Sequence, residues 1–190
     1  MKQVVINDLK THCLQDKIPI VRDATISLIN ELIDTKKINH ILEIGTGYGY
    51  SALCMASNRI VDSITTIEKD LHKFLIAKQY LSPNSKITLI HGDAFKTEFK
   101  QRYDLIFIDG PKSNQIHLVQ KYCEYLTPAG IMIIDNIYLK KITGLKNPNK
   151  NQKALITKIK SFESWLLNQN LLKVRIIEID DGVAVCYKTC

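Results

Sequence analysis

Short runs rich in β-branched residues alternate with longer segments of helical periodicity along most of this chain. The predicted strands are His40–Ile44, Ser63–Ile67, Lys86–Ile90, Tyr103–Ile108, Ile131–Asp135, Val174–Ile179 and Val183–Tyr187. The predicted helices are Ile20–Ile33, Tyr50–Ser57, Leu71–Leu81, Gln115–Leu126 and Gln152–Leu167. Strands that alternate with helices of about ten to fifteen residues favour βαβ units, in which helices cover both faces of a parallel sheet.

The last two predicted strands differ from the others because only Asp180-Asp181-Gly182 separates them. A turn of this length and composition joins antiparallel neighbours. The sequence therefore predicts an α/β fold with a mostly parallel seven-stranded sheet that ends in an antiparallel hairpin. The length of 190 residues fits one domain, 1–190, in which residues 1–18 form an N-terminal extension.

The composition is 45% hydrophobic and 24% charged, which is typical of a globular protein and excludes a disordered or collagen-like chain. No apolar run approaches the about 20 residues that a membrane-spanning helix needs. Asp8 interrupts the start of the chain too early for a secretory signal. The five cysteines form no C-x-x-C pair, which indicates reduced thiols in a cytoplasmic protein.

A glycine-rich turn follows the first predicted strand, with glycines at 45, 47 and 49 and an acid, Glu43, two residues before them. Glycines let the backbone turn sharply and approach a ligand closely. A dinucleotide fingerprint would need its third glycine at position 50, which is Tyr50. The spacing found here, with its carboxylate, favours a ligand whose amino-acid end carries an ammonium group. A tight turn with no ligand is the alternative.

Acids also end the next two predicted strands. Glu68 lies about 20 residues after the glycines, where a carboxylate can accept hydrogen bonds from both hydroxyls of a ribose. Asp93 and Ala94 follow the third strand in a small turn that could flank a purine. For each acid, the alternative is a helix N-cap or a surface position.

Asp109 ends the fourth predicted strand, and Asp135 and Asn136 end the fifth. Because ligands bind outside the carboxyl ends of such strands, we expect these side chains beside the glycine turn. Three oxygen donors suit Mg²⁺, Mn²⁺ or Ca²⁺ rather than Zn²⁺. A nearby cation would disfavour the ammonium form of Lys112, which could then accept a proton. Helix-capping acids and a solvated lysine are the alternatives.

Together these motifs resemble the class I S-adenosylmethionine-dependent methyltransferases, which have a Rossmann-like fold. Within them, the chain is similar to the metal-dependent O-methyltransferases, a group that includes catechol, caffeoyl-CoA and bacterial tRNA 5-hydroxyuridine methyltransferases. The resemblance covers about residues 18–188. The segments that carry it are Pro19-Ile20-Val21, Leu42–Thr46, Gly49–Ala52, Glu68, Gly92-Asp93-Ala94, Asp109-x-x-Lys112, Asp135-Asn136 and Asp181–Ala184.

This resemblance implies roles for individual residues. The implied contacts to S-adenosylmethionine are Val21, Gly45, Gly47, Ser51, Glu68, Asp93, Ala94 and Asp109, with Glu43 lining its methionyl end. The implied ligands of Mg²⁺ or another divalent cation are Asp109, Asp135 and Asn136. Lys112 would be the catalytic proton acceptor, with Asp109 beside it. The chain departs from the family at Gly110-Pro111 and in a shorter region before Pro19, a region that in the family often contributes to a homodimer.

The net charge of +7 comes from one window. Seven lysines and no acid lie between residues 136 and 162, at positions 140, 141, 146, 150, 153, 158 and 160. Such a block attracts polyanions, although it is also found on merely solvated faces. Residues 138–151 would form a basic loop near the active site, so the Lys140–Lys160 stretch predicts tRNA as the partner.

With a tRNA partner, the predicted reaction is methylation of wobble 5-hydroxyuridine to 5-methoxyuridine. This base carries two neighbouring oxygens, O5 and O4, that could chelate one cation. A small catechol-like substrate or an acyl-CoA is the first alternative. The second is a non-catalytic RNA-binding module on the same fold.

Overall fold

The computed structural model describes residues 2–110 and 114–189, without the side chains of Lys2, Gln3 and Lys141. Its helices are α1 (Lys2–Gln15), α2 (Asp23–Lys36), α3 (Tyr50–Ala56), α4 (Leu71–Leu81), α5 (Gln115–Cys123), α6 (Lys140–Thr143) and α7 (Lys150–Asn168). Its strands are β1 (His40–Ile44), β2 (Ser63–Glu68), β3 (Ile87–His91), β4 (Tyr103–Ile108), β5 (Leu126–Ile134), β6 (Leu172–Ile177) and β7 (Val183–Lys188). None of the described helices is long and apolar enough to cross a membrane.

The seven strands form one sheet in the order β3-β2-β1-β4-β5-β7-β6. Strands β1 to β5 pair in parallel, and β7 pairs antiparallel with both β5 and β6. The predicted α/β fold and its closing hairpin are therefore confirmed. The strand order changes direction between β1 and β4, and in such sheets ligands bind in the crevice outside the carboxyl ends at this switch point.

Strand β4 separates two hydrophobic cores. Leu105 and Phe107 belong to the core under α1, α2 and α3, whereas Ile106 and Ile108 belong to the core under α5 and α7. Successive side chains of a strand point to opposite faces, and all four of these are fully buried. A strand covered on both faces reads as a continuous apolar run, which is why the sequence locates β4 correctly.

Helix α1 is absent from the sequence-based prediction. Its buried side chains Ile6, Leu9 and Cys13 lie three and four residues apart. The helix therefore has an apolar stripe along one face, but the stripe is narrow. Just beyond the helix, Asp16 accepts a hydrogen bond of 2.9 Å from the Tyr48 hydroxyl. The N-terminal extension thus contacts the glycine turn.

Several element boundaries also differ from the prediction, among them the first residues of α2 and β5. Helix α2 begins at Asp23 rather than Ile20, because Arg22 is still extended, with φ −78° and ψ 158°. Strand β5 begins at Leu126 rather than Ile131, but its pairing with β4 slips between these two residues. Pro128 lies in the slipped part and has no N–H to donate, so the strand pattern is recognisable only after it.

The four described cysteines, Cys13, Cys54, Cys123 and Cys186, are free thiols. At these four positions the prediction of reduced thiols is met. Cys190 lies outside the described residues.

Candidate active site

The glycine turn after β1 brings the ends of β1 and β4 into direct contact. Gly45 has a φ of +98°, a conformation that side chains other than glycine rarely adopt. A Cβ atom at Gly45 would lie 2.4 Å from the carbonyl oxygen of Asp109. The position therefore requires glycine, and the backbone of Asp109 forms one wall of the site.

Two adjoining cavities meet at Gly45 and Glu68, which line both. The first has a volume of about 410 Å³ and is also lined by Val21, Gly47, Ser51 and Asp109. The second has a volume of about 290 Å³ and is also lined by Asp93 and Ala94. The predicted cofactor contacts other than Glu43 thus line one elongated cleft. Its two compartments suit an amino acid joined to a nucleoside.

Three further residues of the first cavity were missed by sequence reasoning. Tyr48, Tyr50 and Lys73 all line it. The two tyrosines lie within or directly after the glycine turn, so their closeness to the glycines was the available signal. Lys73 lies on α4, and no motif in the sequence points to it.

Glu43 lies behind the cleft rather than in its wall. Its side chain is fully buried and accepts hydrogen bonds from the hydroxyls of Ser51 and Thr66. Burial raises the pKa of Glu43 to about 7, and the two hydroxyl hydrogen bonds oppose that rise. Glu43 reaches the cleft through Ser51, one layer further from a ligand than its predicted role requires.

Two acids at the ends of β2 and β3 are held by backbone N–H groups. Glu68 accepts from Gly47 N at 2.8 Å with Oε2 and from Asp70 N at 2.9 Å with Oε1. Each carboxylate oxygen has a second lone pair, so Glu68 can still accept from a ligand hydroxyl. Asp93 accepts from Phe95 N at 2.9 Å.

Asp93 also forms an ion pair of 2.9 Å with Lys69. The hydrogen bond from Lys69 is the main cause that lowers the pKa of Asp93, and the bond from Phe95 N adds to it. Asp93 is therefore a carboxylate at neutral pH, fixed at the edge of the second cavity.

The side chains of Asp109, Asp135 and Asn136 meet at the ends of β4 and β5. Asn136 Nδ2 lies 3.5 Å from Asp109 Oδ1 and 3.0 Å from Asp135 Oδ2. Asp135 is 3% exposed. Asn136 has a φ of +58°, which asparagine tolerates better than most residues. The structure thus brings together the three residues that the sequence predicts as metal ligands.

This donor set has the chemistry that a hard cation prefers. Half a turn of the Asn136 amide would present its oxygen beside the two carboxylates. Within residues 2–110 and 114–189, no three His, Cys, Asp or Glu side chains are grouped to hold a metal ion. A cation here would therefore need water or substrate oxygens to complete its coordination. Lys112 lies outside the described residues, so its role as proton acceptor stays a prediction.

The turn between β6 and β7 holds the segment that follows β5. Tyr138 N donates to the carbonyl of Asp181 at 2.8 Å, and Lys140 N donates to the Asp181 carboxylate at 3.0 Å. Arg22 forms an ion pair with the same carboxylate, directly after Val21 in the cleft wall. The hairpin thus links the two sides of the site. Sequence reasoning identified the turn but missed Arg22.

Comparison with known proteins places these features in context. A family model described as O-methyltransferase matches residues 1–189. Tapetum-specific methyltransferase 1 of Arabidopsis thaliana is 25% identical over 184 residues, which are 90% of this chain and 77% of that protein.

Solved structures agree with the fold. A Staphylococcus aureus protein provisionally assigned as a caffeoyl-CoA O-methyltransferase superposes with a TM-score of 0.89 and 29% identity, over 97% of this chain and 92% of the other. The O-methyltransferase TomG of Streptomyces achromogenes, solved in complex with S-adenosylmethionine, superposes with a TM-score of 0.79 and 19% identity. That match covers 98% of this chain and 90% of TomG.

Proposed function

The chain belongs to the O-methyltransferase family and is an S-adenosylmethionine-dependent methyltransferase, and we propose that it methylates 5-hydroxyuridine at the tRNA wobble position with the help of a divalent cation. The observation that carries the choice of substrate is the run of seven lysines without an acid in residues 136–162, which starts four residues after Asn136. A strongly basic surface beside the reacting atoms suits a polyanionic substrate.

The chemistry moves a methyl group from sulfur to oxygen. The cofactor supplies a methyl group on a positively charged sulfonium. The C–S bond breaks as the new O–C bond forms, and the substrate hydroxyl must lose its proton. A neutral hydroxyl is a poor nucleophile, so the site needs a base and a positive charge near the oxygen. Lys112 is the proposed base.

A divalent cation held by Asp109, Asp135 and Asn136 would supply that positive charge. Support comes from the Asn136 amide, whose Nδ2 atom lies 3.5 Å from Asp109 Oδ1 and 3.0 Å from Asp135 Oδ2. Further support comes from the place of Asp109, which also lines the first cavity of the cofactor cleft. One residue thus borders both the methyl donor and the proposed cation.

Each part of the cleft offers different contacts to the cofactor. Glu68 is the proposed acceptor for the ribose hydroxyls, because it lies where the two cavities join. Ser51 and the glycine turn border the first cavity, where the methionyl end would lie. Asp93 and Ala94 border the second, where the adenine would lie.

The basic stretch gives RNA a broad surface to contact. The predicted loop at residues 138–151 contains the helical turn α6 and the first residues of α7. Lys146 and Lys150 are exposed within it, and Lys153 is exposed just beyond it on α7. Backbone phosphates would bind these lysines, while the base enters beside Asn136.

An acyl-CoA substrate is the second candidate. The name given to the Staphylococcus aureus structure favours it, and the phosphates of coenzyme A would also be attracted by lysines. A small uncharged catechol gains little from such a field, so it is the weaker choice.

The deciding experiment is transfer of a labelled methyl group to bulk tRNA that carries 5-hydroxyuridine, followed by nucleoside analysis. We expect labelled 5-methoxyuridine, and we expect chelation of divalent ions to abolish it. Product on caffeoyl-CoA or a catechol, with none on tRNA, would overturn the proposed substrate. Turnover that persists after chelation would overturn the proposed cation.

A charge-reversal pair tests the basic stretch directly. Lys141→Glu combined with Lys146→Glu should weaken tRNA binding and flatten its salt dependence, while S-adenosylmethionine binding stays unchanged. The matched control is Lys37→Glu with Lys100→Glu, because both residues are exposed. They precede β1 and β4, at the amino ends of the strands and away from the site at the carboxyl ends. Equal loss of tRNA binding in both pairs would contradict a role specific to this stretch.

A further inference from the structure

A third cavity lies between the start of α5 and the middle of α7, outside the cofactor cleft. Its volume is about 280 Å³, and its polar lining residues are Asn114, Gln115, His117, Thr157, Lys158 and Ser161. Asn114 also lines the second cavity of the cofactor cleft. The third cavity is therefore a neighbour of the active site, and the methyltransferase chemistry described above leaves it unused.

Gln115 is the unusual residue of this cavity. Its side chain is 3% exposed, and its Nε2 atom has no hydrogen-bond partner within the described part of the chain. A buried donor without an acceptor is costly and rare in folded proteins. Gln115 lines the cavity, so a ligand that packs against this side chain could bring the missing acceptor.

The described groups that surround Gln115 in this cavity are neutral or positively charged. Gln115 begins helix α5, which has nine residues and no side-chain cap from Asn114. The first N–H groups of a helix lack partners within the helix and attract anions. Lys158 adds a full positive charge, and none of the described lining residues is an acid. The Ser161 hydroxyl adds a further donor, whereas the Thr157 hydroxyl already donates to the carbonyl of Lys153.

We propose that this cavity is a phosphate-binding subsite for the substrate. The proposal rests on the proposed function, since a tRNA anticodon arm would bring backbone phosphates to a cavity that adjoins the cleft. A phosphate of coenzyme A has the same chemistry and is the other possible source. Lys158 would supply the charge, and Gln115 Nε2 would donate a neutral hydrogen bond.

Two substitutions separate these contributions. Lys158→Gln should weaken tRNA binding and reduce the slope of log Kd against log salt by about one, because one phosphate contact is lost. Gln115→Met should weaken tRNA binding with the slope unchanged, because no charge is removed. Gln115→Met should also keep or raise the melting temperature of the free protein, because an unpaired buried donor disappears.

The matched control is Lys160→Gln, two residues further along α7. Lys160 is exposed as well but lines a different cavity, together with Glu163 and Glu178. Equal effects of Lys158→Gln and Lys160→Gln would show a diffuse field and overturn the subsite. Unchanged tRNA and coenzyme A binding by Gln115→Met would overturn it too.

Coenzyme A is the second probe, used in the same titrations. If Lys158→Gln and Gln115→Met weaken coenzyme A binding but not tRNA binding, the subsite stands and the tRNA substrate fails. If tRNA is methylated normally while both variants bind both probes like the wild type, the subsite fails and the proposed function stands.

Discussion

Glu43 in β1 and Asp135 after β5 are both buried acids near the carboxyl edge of the sheet, yet their surroundings differ. Glu43 accepts from two neutral hydroxyls, and burial raises its pKa to about 7. Asp135 shares the Asn136 amide with a second acid, Asp109. The cofactor side thus contains an acid that can be neutral, whereas the substrate side gathers two carboxylates around one amide.

This difference indicates which groups satisfy the buried acids on each side of the site. On the cofactor side, neutral donors from the chain itself satisfy Glu43, so the cleft is formed before any ligand arrives. On the substrate side, two neighbouring carboxylates gain most from a bound cation. The chain's own contacts therefore build the cofactor cleft, while the substrate side is expected to depend on a metal ion.

The largest expected effect is on the substrate side. Asp135→Asn removes one charge from the proposed cation site and should lower the rate of methyl transfer at least about 100-fold. S-adenosylmethionine binding should stay within twofold of the wild type, measured by calorimetry, because Asp135 does not line the cleft.

The reciprocal variant sharpens the comparison. Ser51→Ala removes a hydroxyl from the cofactor cleft and should weaken S-adenosylmethionine binding about tenfold. The Mg²⁺ concentration that gives half-maximal activity should not move. If both variants change cofactor affinity and metal requirement together, the two sides of the site are not separable.

The next effect concerns the backbone contact that forms the cleft. Gly45→Ala should lower the free energy of unfolding by at least about 2 kcal/mol, because it combines an unfavourable φ with a clash against backbone. The added Cβ would lie 2.4 Å from the carbonyl oxygen of Asp109. Urea denaturation measures the loss.

Gly47→Ala is the matched control in the same turn. Gly47 has a φ of +58° but no atom within 4 Å of an added Cβ. Its cost should be that of the conformation alone, about 1 kcal/mol. Equal losses for the two glycines would show that the close approach of Gly45 to the Asp109 carbonyl imposes no steric cost of its own.

The contrast between local and long-range contacts also explains what the sequence could reveal. The parallel strands and the glycine turn are local patterns, and the metal-type cluster follows from strand ends that parallel pairing brings to one edge. Arg22 could not be found this way, because its partner Asp181 lies 159 residues later. Gln115 was hidden as well, because a polar residue at the start of a helix is usually exposed.

The smallest expected effect is a pH dependence on the cofactor side. The pKa of Glu43 is about 7 in the folded chain and about 4.3 in an unfolded one. Between these values the folded state holds a proton that the unfolded state has lost, so stability falls as the pH rises. The Glu43→Gln variant has no group at this position that takes up or releases a proton in this pH range. The wild type should lose up to about 1.4 kcal/mol per pH unit relative to the variant between pH 5 and 7.

Urea denaturation at pH 5, 6, 7 and 8 measures this difference, and it should level off above pH 7, where Glu43 is ionised in both states. Glu31→Gln is the control, since Glu31 is an exposed acid on α2 and its replacement should leave the pH profile as it is. A wild type and a Glu43→Gln variant with parallel profiles would mean that Glu43 stays ionised when buried. The cofactor side would then also hold an unneutralised carboxylate, and the contrast with Asp135 would disappear.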